Sequence, residues 1–253
     1  MSHKIWVFID QFQGQALGSS WEGITAAKSL AAHFNSGVSA VVFGKGVAGI
    51  AAEAFHYGAD EVYLADDPAL ADYRPEPYAA VLSKLAGEVK PEVILFPTTT
   101  RGRELAAVTA VDLGVGVIPD CTALEVAGGE VLATRPVYAG KLLAKVVAKA
   151  APRLITLRVR AFAKPKPDES RSGTPVAVDA SAAAAQAKSQ VLEYAQSGGG
   201  VSLTDAGVIV SGGRGVASNP KLTPPAGMDD KQAEIWRAQQ GFKLVGDLAG
   251  VLG

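Results

Sequence analysis

Short apolar runs alternate with helical patterns along the first hundred residues of the chain. The apolar runs predict buried strands at residues 5–9, 38–43, 61–64 and 93–96. Between them, apolar side chains recur at helical spacing and predict helices at residues 20–34, 48–57 and 78–89. Strands that alternate with helices in this way are joined by right-handed crossovers into a parallel sheet with both faces covered. The first half of the chain is therefore predicted to be a nucleotide-binding-like α/β domain.

Three residues at the predicted helix ends have expected roles. Ser19 or Ser20 is placed to cap the first helix, because a hydroxyl accepts from free backbone N–H groups at a helix start. Gly58 stands where the second helix should end, in the position that favours a left-handed backbone.

A polar run follows the fourth predicted strand and leads into a helix at residues 105–113. It holds three threonines and two arginines, namely Thr98, Thr99, Thr100, Arg101 and Arg103. Hydroxyls and cations at a helix start suit an anion. The alternative, which we favour, is an ordered cap with charged contacts to a neighbouring domain.

From residue 122 the pattern becomes antiparallel. Strands predicted at 122–126 and 131–138 flank a turn at 127–129, and further strands are predicted at 142–147 and 153–159. Arg158 and Arg160 alternate with Val159, as on a half-exposed strand. Cys121 is expected to be a small buried residue, because no histidine pairs with it to make a nucleophile.

Two segments interrupt this pattern before the end of the chain. Residues 164–175 have the composition of a linker, with three prolines and five charges. A set of later apolar residues is expected to return to the edge of the first sheet: Val176, Val178, Val191, Leu192 and Tyr194. The glycine-rich residues 197–200 form a second break that is suited to a hinge. These breaks predict two domains, 1–196 and 197–253.

The second predicted domain opens on an apolar run that ends in glycines. Val208, Ile209 and Val210 predict a short buried strand, and the turn that follows consists of Ser211, Gly212, Gly213, Arg214 and Gly215. Glycines let backbone amides approach a bound group, and an arginine adds a permanent cation. The turn therefore predicts an anion-binding elbow. The alternative that this is a purely structural turn remains, because the spacing of the glycines is not that of the Gly-x-Gly-x-x-Gly dinucleotide fingerprint.

Composition narrows the function classes. A net charge of −1 over 253 residues argues against nucleic acid as the main partner. The single cysteine excludes an internal disulfide and fits a reducing compartment. No apolar run approaches the roughly 20 residues of a membrane helix, and no segment resembles a secretory signal. We expect a cytoplasmic protein of a bacterium or archaeon with no membrane insertion, no metal site and no catalytic acid, base or nucleophile.

Six segments, taken in order, resemble the alpha subunit of electron transfer flavoproteins. They are the opening strand that ends near Asp10, the run Thr-Thr-Arg-Gly-Arg-Glu-Leu-Ala at 99–106, Asp-Cys-Thr at 120–122, Arg-Pro-Val-Tyr-Ala-Gly-Lys at 135–141, the proline-rich exit, and Val-Ser-Gly-Gly-Arg-Gly at 210–215. Each segment is weak by itself, but six in this order make a specific match that covers essentially the whole chain.

The resemblance implies a fold, a cofactor and partners. The fold is α/β: an N-terminal nucleotide-binding-like domain, similar to adenine nucleotide alpha hydrolases, with added antiparallel strands, followed by the start of a doubly wound FAD-binding domain. Ser211, Gly212, Gly213, Arg214 and Gly215 would belong to the FAD site, with Arg214 near the isoalloxazine ring. The first domain would pack on a beta subunit in a heterodimer. Such carriers pass electrons from dehydrogenases, as in fatty acid β-oxidation, to an acceptor such as a quinone reductase, so the resemblance favours an electron carrier over a catalyst of its own reaction.

Two departures from the family's pattern change the expectation. Residues 220–240 intervene after the glycine turn and predict a helix at 229–239 carrying Trp236. We favour a surface elaboration, and a new binding element stays open as the alternative. The chain stops at Gly253, where the family continues with further FAD contacts, so the FAD site is expected to be incomplete and the chain to bind FAD poorly by itself. Two other functions stay open: a flavin-free assembly module that pairs with a beta-type subunit, and a nucleotide-binding hydrolase or transferase that uses residues 98–103 on phosphate.

Overall fold

The computed structural model describes residues 4–195, 203, 206–217 and 219–252. The chain divides into two compact units, Met1–Leu192 and Glu193–Gly253. The predicted break at residues 197–200 lies outside the described residues.

The first unit contains twelve strands and five α-helices among its described residues, together with one 3₁₀ turn at Pro68–Leu70. The strands are β1 (Ile5–Ile9), β2 (Gln11–Phe12), β3 (Gln15–Ala16), β4 (Val38–Gly44), β5 (Glu61–Asp66), β6 (Val93–Pro97), β7 (Val117–Cys121), β8 (Ala123–Ala127), β9 (Glu130–Val137), β10 (Leu142–Val147), β11 (Arg153–Leu157) and β12 (Val176–Ala177). The helices are α1 (Gly18–His33), α2 (Ala48–His56), α3 (Pro75–Val89), α4 (Thr100–Leu113) and α5 (Ser181–Gln186).

Seven strands form one parallel sheet in the order β12-β5-β4-β1-β6-β11-β7. Alternate residues of β1 enter two separate cores: Val7 packs with α1 and α2, while Phe8 packs with α3 and α4. Both faces of the sheet are therefore covered by helices, and the predicted α/β domain with a parallel sheet is confirmed.

Two strands of this sheet differ from the prediction. β11 lies between β6 and β7 and is parallel to both, so its placement in an antiparallel region was wrong. Arg158 and Arg160 follow the end of β11 instead of alternating along it, and Arg160 has φ of 67°. β7 was not predicted, because Pro119 and Asp120 interrupt its apolar pattern.

β8, β9 and β10 form a separate antiparallel sheet, which confirms the predicted hairpin. Val131 and Ala133 lie on one face of β9 and are buried in the core that also contains α1. The sheet is thus anchored to the domain by one face of its central strand.

The linker-like segment between β11 and β12 is fastened to the surface of the first unit. Arg171 donates to the carbonyl oxygens of Phe55 and Ala59, and the backbone N–H of Asp168 donates to the carbonyl of His56. The segment carries the chain to β12, which pairs with β5 at the sheet edge.

The predicted return to the sheet edge is confirmed for part of its set. Val176 belongs to β12, and the backbone N–H of Val178 donates to the carbonyl of Leu64. Val191, Leu192 and Tyr194 lie in no strand, so their predicted return to this edge was wrong.

The helix ends also correct two details. α1 begins at Gly18 without a side-chain cap, so neither Ser19 nor Ser20 has the predicted role. α3 begins at Pro75, because a proline in the first turn sacrifices no helical hydrogen bond. Gly58 follows α2 with φ of 105°, as predicted.

The described residues of the second unit contain two helices, α6 (Arg214–Ala217) and α7 (Asp230–Leu252). The helix predicted at 229–239 therefore continues well beyond its expected end. Gly241 lets α6 and α7 approach closely, because a Cβ there would lie 2.4 Å from the carbonyl oxygen of Val216. None of the helices in the described part of the chain is long and apolar enough to cross a membrane.

Candidate functional site

The carboxyl edge of the parallel sheet brings the polar run after β6 next to Asp10, which follows β1. β1 and β6 are neighbouring parallel strands, so both chain segments leave the sheet at the same edge. Asp10 is only 2% exposed. Its backbone N–H donates to the hydroxyl of Ser20, and that hydroxyl donates to the carbonyl oxygen of Asp10. Ser20 thus fixes the end of β1 instead of capping α1.

Thr99 and Arg101 both bind the carboxylate of Asp10. The Thr99 hydroxyl donates to Oδ2 over 2.7 Å and accepts from the backbone N–H of Gly102 as the cap of α4. The Nε of Arg101 donates to Oδ1 over 2.9 Å, and its guanidinium lies 5.3 Å from the ring centre of Phe12. Burial raises the pKa of Asp10, while Thr99 and Arg101 oppose that rise.

These contacts establish the structural roles of Thr99 and Arg101. Thr99 caps α4 and Arg101 binds a carboxylate of the same unit, so the favoured interpretation of an ordered cap with charged contacts is confirmed for these two residues. Arg101 makes this charged contact within its own unit, and the expected contact to a neighbouring domain stays a prediction. Thr98 donates its hydroxyl to that of Thr156 on β11.

A cluster of cations lies near Asp120, at the end of β7. Arg158 binds Asp120 through Nε over 3.0 Å, and this bond, with more distant Arg135 and Arg103, lowers the pKa of the carboxyl. Cys121 is buried, as predicted, and burial raises the pKa of its thiol to about 12.

The glycine turn of the second unit has a different local structure from the one predicted. Val208 and Ile209 are exposed and lie in no strand, so the predicted buried strand was wrong. The turn leads into α6, which starts at Arg214, and the backbone N–H of Val216 donates to the carbonyl of Gly213. A short helix needs no left-handed glycine, and none of the three glycines adopts a positive φ.

The space around these glycines differs from one to the next. A Cβ on Gly212 would lie 2.7 Å from Val216 and 3.0 Å from Val245, so packing requires a glycine there. A Cβ on Gly213 or Gly215 would meet nothing within 4 Å. The described residues therefore give no steric or conformational reason for glycine at these two positions, which flank the exposed side chain of Arg214.

The site residues can be tested against a flavin by their chemistry. A hydroxyl at Ser211, open backbone at Gly213 and Gly215, and a cation at Arg214 together provide donors and positive charge without a carboxylate among them. This set fits an electron-rich or anionic group of a dinucleotide. No group of three potential metal ligands occurs among the residues whose placement is described.

Comparison with known proteins decides the family. The model of the electron transfer flavoprotein domain matches residues 5–183. The electron transfer flavoprotein subunit alpha of Thermoanaerobacterium thermosaccharolyticum is 34% identical over 252 residues, covering 98% of this chain and 70% of that protein. The chain belongs to the electron transfer flavoprotein alpha subunit family.

Other members of this family show the same extent of similarity. Protein FixB of Azorhizobium caulinodans is 34% identical over 98% of this chain and 64% of its own length. The electron transfer flavoprotein subunit alpha of Bacillus subtilis is 32% identical over 88% of this chain and 68% of its own length. The chain thus spans about two-thirds of the length of these electron transfer flavoprotein relatives.

Sequence reasoning did not bring Asp10 together with Thr99 and Arg101, or Arg135 together with Asp120. Asp10 was noted only as the end of a strand, although an acidic residue there and an arginine after another strand could have been paired. Arg135 was named only within the segment 135–141 that carries the family resemblance, because its place beside Asp120 and Cys121 depends on how β9 packs against β7.

Proposed function

We propose that this chain is the alpha subunit of a heterodimeric electron transfer flavoprotein, which carries electrons from dehydrogenases to an acceptor such as a quinone reductase through bound FAD. The observation that carries the proposal is the open backbone of Gly213 and Gly215 beside exposed Arg214, in a chain of this family. In this function the protein binds and tunes the cofactor and supplies no acid, base or nucleophile.

Ser211, Gly212, Gly213, Arg214 and Gly215 would hold the flavin, and the flavin supplies the redox chemistry. Gly213 and Gly215 would let the backbone approach the bound ring system, which a Cβ would keep at a distance. Gly212 would keep the turn packed against Val216 and Val245. Arg214 would place a permanent positive charge beside the isoalloxazine ring. A cation stabilises the more negative, reduced state and so raises the reduction potential.

The absorbance spectrum of the chain, purified alone and then co-expressed with its beta-type subunit, tests the function as a whole. A flavin band in the co-expressed heterodimer supports the electron carrier. A stable heterodimer without flavin in either sample would favour the assembly module. Binding of ATP or AMP by the chain alone would favour the nucleotide-binding enzyme.

Gly215→Ala should lower the affinity of the heterodimer for FAD by roughly tenfold while leaving the fold intact. The added methyl meets no atom of the described chain, and alanine suits the start of a helix better than glycine does. Only a ligand that approaches the backbone would be displaced. Titration of the apoprotein, followed by flavin fluorescence, measures the change.

Gly246→Ala is the matched control for this substitution. Gly246 lies in α7, also with nothing within 4 Å of an added Cβ, so alanine there should leave FAD affinity unchanged. Equal FAD affinities for the two variants would contradict the placement of flavin at Gly215.

Arg214→Ala should lower the reduction potential of the bound flavin by about 30 to 60 mV, which is roughly 1.4 to 3 kcal/mol for a two-electron couple. Arg214→Lys should restore part of the shift because it keeps the charge. Arg237→Ala removes the other arginine described in this unit, from α7, and serves as the control. A potential that is the same in all three variants would remove Arg214 from the flavin environment.

A further inference from the structure

The tip of the hairpin between β9 and β10 is apolar and uncovered. Tyr138 is 76% exposed in the turn, and Leu142 and Leu143 at the start of β10 are 57% and 69% exposed. Tyr138, Ala139, Lys141 and Leu142 line an open apolar depression. We call Tyr138, Lys141, Leu142 and Leu143 the hairpin tip.

Apolar side chains lie on both faces of the hairpin tip. Leu142 is opposite Val137 and shares a face with Ala133, which is fully buried against the domain core. Leu143 is opposite Pro136 and points to the other face. The domain covers the first face at Ala133 but no longer at Leu142, so the antiparallel sheet overhangs the unit. A tip that is apolar on two faces fits a groove better than a flat surface.

The turn at the hairpin tip holds Tyr138 in a costly conformation. Tyr138, Ala139 and Gly140 have φ of 52°, 55° and 85°, so three successive residues are left-handed. Non-glycine residues adopt this backbone only at an energetic cost. Two backbone hydrogen bonds, from Gly140 to Val137 and from Lys141 to Tyr138, close the turn. The turn therefore holds the backbone of Tyr138 in place, and the Tyr138 side chain is exposed to solvent.

The unpaired charges around the hairpin tip are positive. On β8 to β10, Lys145 pairs with Glu125, and Lys149, just after β10, pairs with Glu130. Arg135 and Lys141 form no ion pair with the described residues, and the Nε of Arg135 is buried without a hydrogen-bond acceptor. A partner that covers the apolar tip would be favoured by carboxylates at its rim.

We propose that the hairpin tip is a docking surface for the second subunit of the heterodimer, at a groove of that subunit that is apolar inside and acidic at its rim. The identity of the partner in this proposal rests on the proposed function. A second copy of this chain fits less well, because a symmetric contact would bring Lys141 and Arg135 of both copies together. A lipid surface fits less well too, because β10 is an edge strand whose outer N–H and C=O groups find no partner in hydrocarbon.

Leu143→Glu in the full chain should weaken binding to the purified beta-type subunit at least tenfold, as measured by isothermal titration calorimetry. Its side chain is exposed in the free chain, so the substitution should not unfold it. Lys141→Glu should weaken binding less and mostly at low salt, because it reverses a charge at the rim. The matched control is Val111→Glu on α4, where the wild-type valine is 80% exposed, and its binding should stay within twofold of wild type.

Three outcomes would overturn this docking surface. The first is equal affinity for wild type and Leu143→Glu, in a heterodimer that still forms and holds flavin; this leaves the proposed function intact. The second is a wild-type chain that forms no heterodimer, which overturns the proposed function as well. In the third, Leu143→Glu leaves heterodimer affinity unchanged but abolishes a different interaction of the wild-type chain. That interaction would be self-association, measured by sedimentation, or binding to phosphatidylserine vesicles.

Discussion

Gly102→Ala should lower the free energy of unfolding of the first unit by about 2 to 3 kcal/mol. An added Cβ would lie 2.2 Å from the carbonyl oxygen of Pro97 and 3.0 Å from the hydroxyl of Thr99. Neither atom can easily yield, because Pro97 ends β6 in the centre of the sheet and Thr99 is held by Asp10. The first turn of α4 would have to move away from β6, and the Thr99 cap would be strained.

Gly87→Ala is the matched control for Gly102→Ala. Gly87 lies in α3 with nothing within 4 Å of an added Cβ, so alanine should stabilise the helix by about 0.5 to 1 kcal/mol. Urea unfolding followed by near-ultraviolet circular dichroism reports on this unit, because Trp21 stacks on Tyr57 within it. Shifts of the same sign in both variants would show that the gap between β6 and α4 is looser than these distances indicate.

The central strands of the sheet could be predicted from the sequence because they are buried on both faces. β1, β4 and β6 are short, largely apolar runs between polar turns, which is the pattern of strands buried on both faces. β7 lies at the sheet edge and carries Pro119 and Asp120, so its pattern is that of a loop. The sequence could not predict that β11 is parallel to its neighbours, because a short apolar strand has the same pattern in parallel and in antiparallel pairing.

The two candidate sites were predictable to different degrees. The run from Thr98 to Arg103 was found by its hydroxyls and cations, but its contact with Asp10 depends on β1 and β6 being neighbours, which only the sheet order gives. The glycine turn was found by composition. Its local structure was mispredicted: we expected the turn to follow a strand, with glycines of positive φ. Gly213 and Gly215 instead lie at the start of α6, and neither has a positive φ.

Arg101→Gln should cost the first unit about 2 to 3 kcal/mol of unfolding free energy at pH 7, because it leaves the buried carboxylate of Asp10 without its cation. The value lies at the low end for a buried pair, since the Arg101 side chain is 23% exposed and Asp10 keeps its bond from Thr99. The unfolding midpoint in urea measures the loss.

Arg158→Gln is the matched control, because it removes an arginine from a second aspartate pair at the same edge of the sheet. The side chains of Arg158 and Asp120 are 45% and 32% exposed, so water replaces the lost contact. Exposed pairs contribute about 1 kcal/mol or less. Equal losses in the two variants would mean that Asp10 is hydrated in solution.

The cost of losing Arg101 should also depend on pH, with a sign set by Asp10. Burial raises the pKa of Asp10 above its ordinary value of 3.8, and Arg101 is one of the groups that hold it down. In Arg101→Gln that pKa rises further, so the folded variant takes up a proton at a higher pH than wild type does. Stability tied to a raised carboxyl pKa is present at low pH and lost as pH rises through the folded pKa. The difference between wild type and variant should therefore be largest at pH 7 and shrink as the pH falls toward 4. A difference that stays constant over this range would show that Arg101 stabilises the unit through its contact with Phe12 and not through the charge of Asp10.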